Sequence, residues 1–298
     1  MTTEMMQQAV NQFNFTEQSI ETMTLDTLRR TFKENDTEGL PVKGIYHYQV
    51  IERVEEICRR HNVKYEVEEI FAAQNRNKNT PGVVILPQVE EKFGVRAVEA
   101  HILRRIYTTI RIKEEETDEL TTSLVVAFHQ SGIQMAIGPC VRVCHNQCIL
   151  SPERIASNFG KQKVSTEQLF ECVDDWLANL YKQMEEDREK IERLKKKILT
   201  PLEVYAYIGL LTTLRVSHDS SDKRLSCQVE TYPLNQAQIS DFTEELLKLA
   251  LDKKPLSAWD IYNVATEIYK PGRMEIPVVI PQNAVLAELL LSDDKLNA

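Results

Sequence analysis

Three stretches between Ala100 and His145 constrain the fold more than any other part of the chain. Ala100 to Lys113 (AHILRRIYTTIRIK) is dominated by β-branched, aromatic and Arg residues, and Leu120 to His129 (LTTSLVVAFH) reads as its antiparallel partner. Lys113 to Glu119 supplies an acidic turn between them, and Ser131-Gly132 supplies the next turn. Ile133 to His145 (IQMAIGPCVRVCH) continues the sheet, with Gly138-Pro139 marking a bulge or bend. Connections this short join antiparallel neighbours, so the expectation is a three-stranded meander. Earlier in the chain, Lys64 to Ile70 alternates as a strand does, and Gln74 to Gly82 reads as a loop.

After residue 150 the signals become those of helix starts. Ser151-Pro152 places a cap before a proline at the first helical position. Ser165 to Gln168 and Thr200 to Glu203 are capping boxes, and Ser257 with Asp260 starts another helix. From Leu169 an apolar stripe runs through Val173, Trp176, Leu180 and Met184. It meets the polar Asp187, then resumes at Ile191, Leu194 and Ile198. Read as one helix from Thr166 to Leu199, it would extend about 50 Å at 1.5 Å per residue. Further helices are expected at Tyr46 to His61, Leu202 to Arg215, Asn235 to Leu251 and Trp259 to Tyr269. The fold class expected is α+β: an antiparallel meander sheet packed by helices, then a mainly helical C-terminal half with one long helix. Its organisation is a weakly ordered segment over 1–38 with one short helix near Thr16 to Thr31, a sheet domain over 39–150, a helical region packing on it over 151–272, and a C-terminal tail over 273–298.

Composition narrows the function classes. Hydrophobic residues make up 42% of the 298, enough for a sizeable core. No apolar run approaches the roughly 20 residues needed to span a bilayer. Met1 to Val10 lacks the charge and apolar pattern of a signal peptide, so no membrane role and a cytoplasmic location are expected. Six cysteines then read as reduced thiols. The net charge of −9 argues against a surface that wraps nucleic acid throughout, while leaving room for one basic face.

That face would lie on Ala100 to Lys113. One side of the strand carries Ile102, Ile106, Ile110 and Ile112, interrupted by Arg104; the other carries Leu103, Arg105, Tyr107, Thr109, Arg111 and Lys113. Cations for phosphates interleaved with a ring for base stacking suit single-stranded nucleic acid. Arg142, with Lys161 and Lys163 in a loop, would extend the groove. The competing reading pairs these arginines with the acidic turn Glu114-Glu115-Glu116. Cys140, Cys144, His145 and Cys148 are the candidate metal ligands, but on a strand Cys140 and Cys144 share one face and His145 points to the other. Buried structural thiols are the favoured reading. Catalytic Cys-His-Asn partners normally meet from distant positions, so the neighbours Cys144, His145 and Asn146 argue little for a hydrolase. The chain has no phosphate loop and no dinucleotide fingerprint, so no cofactor is expected.

Phe128-His129-Gln130-Ser131-Gly132, followed by Val141-Arg142-Val143-Cys144-His145-Asn146-Gln147-Cys148, resembles a phage- and plasmid-borne family whose sheet ends in a "vRvvCxN" strand, more closely its Bacteroidetes mobile-element branch. Phe32-Lys33-Glu34-Asn35-Asp36, Thr200 to Glu203 and Ser257-Ala258-Trp259-Asp260-Ile261-Tyr262-Asn263 are similar to further family segments. The resemblance covers most of residues 25–270 and brings no assigned activity. It implies a mobile-element setting. The leading expectation is a non-enzymatic protein that binds or anneals single-stranded DNA during phage or plasmid replication or recombination, as a homo-oligomer supported by the long helix. The alternative is an interaction module that binds and inhibits a host defence protein.

Overall fold

The computed structural model describes residues 20–33, 44–68, 70–74, 83–84, 100–101, 103–129, 132–142, 146–158, 164–219, 232–251, 255–269 and 276–292. The fold is α+β. In chain order the elements are β1 (Ile20–Met23), α1 (Leu25–Lys33), α2 (His47–Arg60), β2 (Tyr65–Val67), β3 (Ile70–Gln74), β4 (Val83–Val84) and β5 (Ala100–His101). Then come β6 (Leu103–Ile112), β7 (Leu120–His129), β8 (Gly132–Val141), β9 (Asn146–Gln147), a 3-10 turn (Pro152–Arg154) and β10 (Ile155–Ser157). The chain continues with α3 (Thr166–Ala178), α4 (Leu180–Lys196), β11 (Ile198–Leu199), α5 (Pro201–Asp219), α6 (Gln236–Leu251), β12 (Leu256–Ser257), α7 (Ala258–Tyr269) and α8 (Ile276–Leu291).

The expected meander is the centre of a larger sheet, in the order β1-β3-β6-β7-β8-β10, with β2 also on β6 and β9 on β8. Strand β3 pairs antiparallel with β6, Phe71 opposite Tyr107 and Ala73 opposite Arg105, with a register shift after Ala73. Residues 121–128 of β7 and 132–140 of β8 are buried without interruption. Successive strand residues face opposite sides, so both faces of these strands are covered. The run Leu124-Val125-Val126-Ala127-Phe128 suits that setting, as continuous apolar strands do. Two of the hydroxyls enclosed with it are bonded: Thr121 Oγ1 donates to the Ile112 carbonyl at 3.0 Å and Ser123 Oγ to Gln147 Oε1 at 2.6 Å.

Three local expectations are corrected. The strand expected over Ile133 to His145 ends at Val141. The chain turns and comes back as β9, Cys140 opposite Gln147 and Val141 opposite Asn146. Gly138 makes the return possible, because a Cβ there would lie 2.2 Å from the Cys148 carbonyl oxygen. The expected single long helix is two, α3 and α4, meeting at Asn179. The Asn179 side chain donates to the Asp175 carbonyl at 2.9 Å, the local competition that makes Asn a poor helix-interior residue. The expected tail contains α8, whose Leu286 and Leu290 are fully buried. Within 1–38, where one short helix is expected near Thr16 to Thr31, the described helix is α1 over 25–33, with β1 over 20–23 before it.

Residue packing divides the chain into two compact units. The first comprises Met1–Ile110, Val125–Met135 and Ser157–Val173. Its helix α2 buries Val50, Ile51, Val54, Ile57 and Cys58, an i, i+3, i+4, i+7 face. His47 sits at the start of that face with its ring edge-on to Phe128, centroids 5.6 Å apart, and Arg53 lies 4.6 Å over the Phe170 ring. The second unit comprises Arg111–Leu124, Ala136–Ala156 and Asp174–Ala298. Its core gathers Ile191 and Leu194 of α4, Tyr207 and Leu211 of α5, Phe242 of α6 and Tyr262 of α7. Three of its helices start at reciprocal caps. In each, a side chain bonds the backbone N–H of the residue three positions away in both directions: Thr200 with Glu203, Asn235 with Gln238, Ser257 with Asp260. Each such cap contributes about 1 kcal/mol.

Candidate functional site

The basic face of β6 is largely occupied. Tyr107 is only 4% exposed, and its ring meets Phe71 across the β3–β6 register at 6.5 Å, so its face is not open for stacking a base. The guanidinium of Arg111 lies 3.8 Å from Glu116 Oε1, and that of Arg142 lies 3.4 Å from the same oxygen. Arg142 also donates to the Thr117 carbonyl at 2.9 Å, while its backbone N–H donates to Glu119 at 2.9 Å. The rest of the acidic turn faces α4: Arg188 meets Glu115 at 2.6 Å and Lys195 meets Glu119 at 3.0 Å. The turn is therefore a hub of ion pairs that engages two of the cations expected to hold phosphates, Arg111 and Arg142. Surface pairs of this kind contribute about 0–1 kcal/mol each but remove local positive potential. Lys113 is exposed, and Arg105 lies opposite Ala73. The Arg105 side chain, Lys161 and Lys163 lie outside the described residues.

Of the proposed metal ligands, Cys140 and Cys148 are buried and in no disulfide, and Cys144 and His145 lie outside the described residues. Among the described residues no group of three or more His, Cys, Asp or Glu is arranged to hold a metal ion. The β9 strand instead anchors two helices through amides. Asn146 Nδ2 donates to the Asn263 carbonyl at 3.4 Å, and Asn283 Nδ2 to the Gln147 carbonyl at 2.9 Å. Asn283 Oδ1 accepts from the Ile149 N–H at 3.1 Å and from the Tyr262 hydroxyl. Burial holds the Tyr262 phenol well above its usual pKa, so it serves as a neutral hydrogen-bond donor. The motifs around Asn146 and Tyr262, more than a hundred residues apart, thus meet as one buried network. Such networks are stabilising only when fully satisfied.

A second buried cluster was marked in the sequence only by a break in an apolar stripe. Asp187, on the buried face of α4, is 5% exposed. Burial pushes its carboxyl up to about 6, opposed by the nearby charges of Arg154 and Lys190. Arg154 bonds Glu186 at 2.7 Å and the Lys190 ammonium donates to Ser151 Oγ. A carboxyl titrating near neutrality beside two cations can hold or release a proton. Ser151, at the rim of the cluster, is itself buried.

The third feature is α5. Its sequence, PLEVYAYIGLLTTLRVSHD, is apolar nearly all round, which predicts burial on every side. Only one side is buried, through Val204, Tyr207 and Leu211. On the opposite side Leu202 is 78% exposed, Tyr205 58% and Val216 54%, with exposed Ala206, Gly209 and Thr213 between them. No charged residue lies on this face. Scattered surface leucines are ordinary, but a contiguous uncharged stripe marks an interaction surface.

No protein-family model, curated protein or solved structure matches this chain. Among the described residues no helix is long and apolar enough to cross a membrane.

Proposed function

We propose that this chain acts by binding protein, through the exposed face of α5. The observation that carries the reading is the row Leu202, Tyr205 and Val216, held in water on one side of a helix whose other side is core. Covering a large apolar side chain fully is worth about 1.5–3 kcal/mol, so a partner with a matching apolar surface has much to gain there. The acidic net charge of −9 favours the same reading, because nucleic acid would be repelled by most of the surface. The single-stranded DNA reading now depends on Arg105, Lys113, Lys161 and Lys163, since Tyr107 is covered and Glu116 offsets Arg111 and Arg142.

Two experiments decide between them. A photo-crosslinking amino acid at position 205, in cells expressing the chain, should give a covalent protein adduct that the same group at the core position 207 does not. Absence of any adduct removes the protein-binding reading. Anisotropy of a labelled single-stranded oligonucleotide should stay flat at low salt; micromolar binding that weakens steeply with salt would restore the nucleic-acid reading.

A further inference from the structure

We propose that the partner is a second copy of this chain, and that α5 crosses its own copy antiparallel at Gly209. This rests on the protein-binding reading above and gives it a specific occupant. At 3.6 residues per turn, the residues within about 60° of Gly209 around the helix are Leu202, Tyr205, Ala206, Thr212, Thr213 and Val216. All are exposed or half-buried.

The arrangement is self-matching. Leu202 and Val216 lie seven residues to either side of Gly209. A two-fold axis at Gly209 therefore sets Leu202 of one copy beside Val216 of the other at both ends, as an isologous interface requires. At the centre Gly209 faces Gly209. A Cβ built on Gly209 would meet nothing within 4 Å, so the backbone is open for close approach. Thr212 and Thr213 donate their hydroxyls to the Ile208 and Gly209 carbonyls at 2.8 and 2.9 Å, which keeps their hydrogen-bond demand inside the helix.

Charge is compatible with self-pairing. The charged residues on α5 lie off the stripe: Asp219, at the last position of the helix, about 80° round from Gly209, and Glu203 and Arg215 about 120° round on either flank. Glu203 is held by the Thr200 cap, and Arg215 lies 4.7 Å over the Tyr232 ring. Two stripes thus meet without opposing like charges, although each copy carries −9 overall. The six exposed positions present roughly 500 Å² per copy, so a pair buries about 1,000 Å², the lower edge of specific interfaces. A concentration-dependent dimer follows.

The test is light scattering of the purified full chain after size exclusion, loaded from about 1 to 200 µM. The mass should climb from 34.4 kDa towards twice that value. Tyr205→Glu should remain monomeric at every load, with an unchanged circular dichroism spectrum. Gly209→Cys, oxidised, should yield a linked dimer beyond the wild-type background, because helices in contact at that crossing bring the two Cα atoms within disulfide reach. Leu202→Cys alone should not link, because Val216 stands opposite it. A wild-type chain that stays monomeric, or a dimer that survives Tyr205→Glu, overturns the proposal. So does a dimer broken by Tyr205→Glu in which Gly209→Cys fails to link. A monomeric wild type whose position 205 still crosslinks to a different protein overturns the second copy alone and leaves the protein-binding reading standing. A monomer without any adduct removes both.

Discussion

Asp187 and His47 carry opposite pH signs. Burial raises the Asp187 carboxyl from 3.8 in the unfolded chain to about 6, so the folded state prefers its protonated form. The stability this group contributes is present below pH 4 and is lost as pH rises to 6, about 3 kcal/mol in all at 1.36 kcal/mol per unit. Asp187→Asn should therefore gain about 2 kcal/mol more over wild type at pH 7.5 than at pH 4.5, read by urea unfolding. Equal differences at both pH values would show that Arg154 and Lys190 already compensate the charge. Burial lowers the His47 imidazole from 6.5 to about 3, with Nδ1 accepting from the Tyr48 N–H at 2.7 Å. Its contribution is present above pH 6.5 and is lost as pH falls, about 2 kcal/mol by pH 5. In an NMR titration of the six histidines, His47 should stay neutral to below pH 4. A midpoint near 6.5 would mean the ring reaches water.

At the scale of elements, the β8–β9 return depends on Gly138. Gly138→Ala puts a methyl 2.2 Å from a backbone oxygen, which no rotamer relieves. The strand must shift, at a cost of about 1–3 kcal/mol. The urea midpoint should fall accordingly, and an unchanged midpoint would show that β9 moves freely. The same return explains what the sequence disclosed. The strand pattern and short turns of β6 and β7 were legible because period and punctuation are local. The α3, α5 and α7 starts were legible because a cap is a contact between residues three apart. The reversal at Arg142 was not, because Val141 and Val143 extend an alternating pattern past the point where the chain turns. The basic face was legible as composition, but its neutralisation by Glu116 depends on where the hairpin turn folds. The exposed side of α5 was hidden for a related reason: an all-apolar helix reads as core whichever side is covered.

At the scale of the whole molecule, β6, β7, β8 and α3 each contribute residues to both packing units. Backbone shared in this way favours loss of both units together. Unfolding followed at Trp176 and Trp259, which belong to the second unit, should coincide with unfolding followed at His47, which belongs to the first. Two separated transitions would show that the shared strands can fray at their midpoints. The sheet has a slower consequence. With both faces of β7 and β8 sealed, their amide protons reach deuterated solvent only when the sheet itself opens. Those two strands should be the last part of the chain to take up deuterium, and their exchange rate is a clock for the lifetime of the native state.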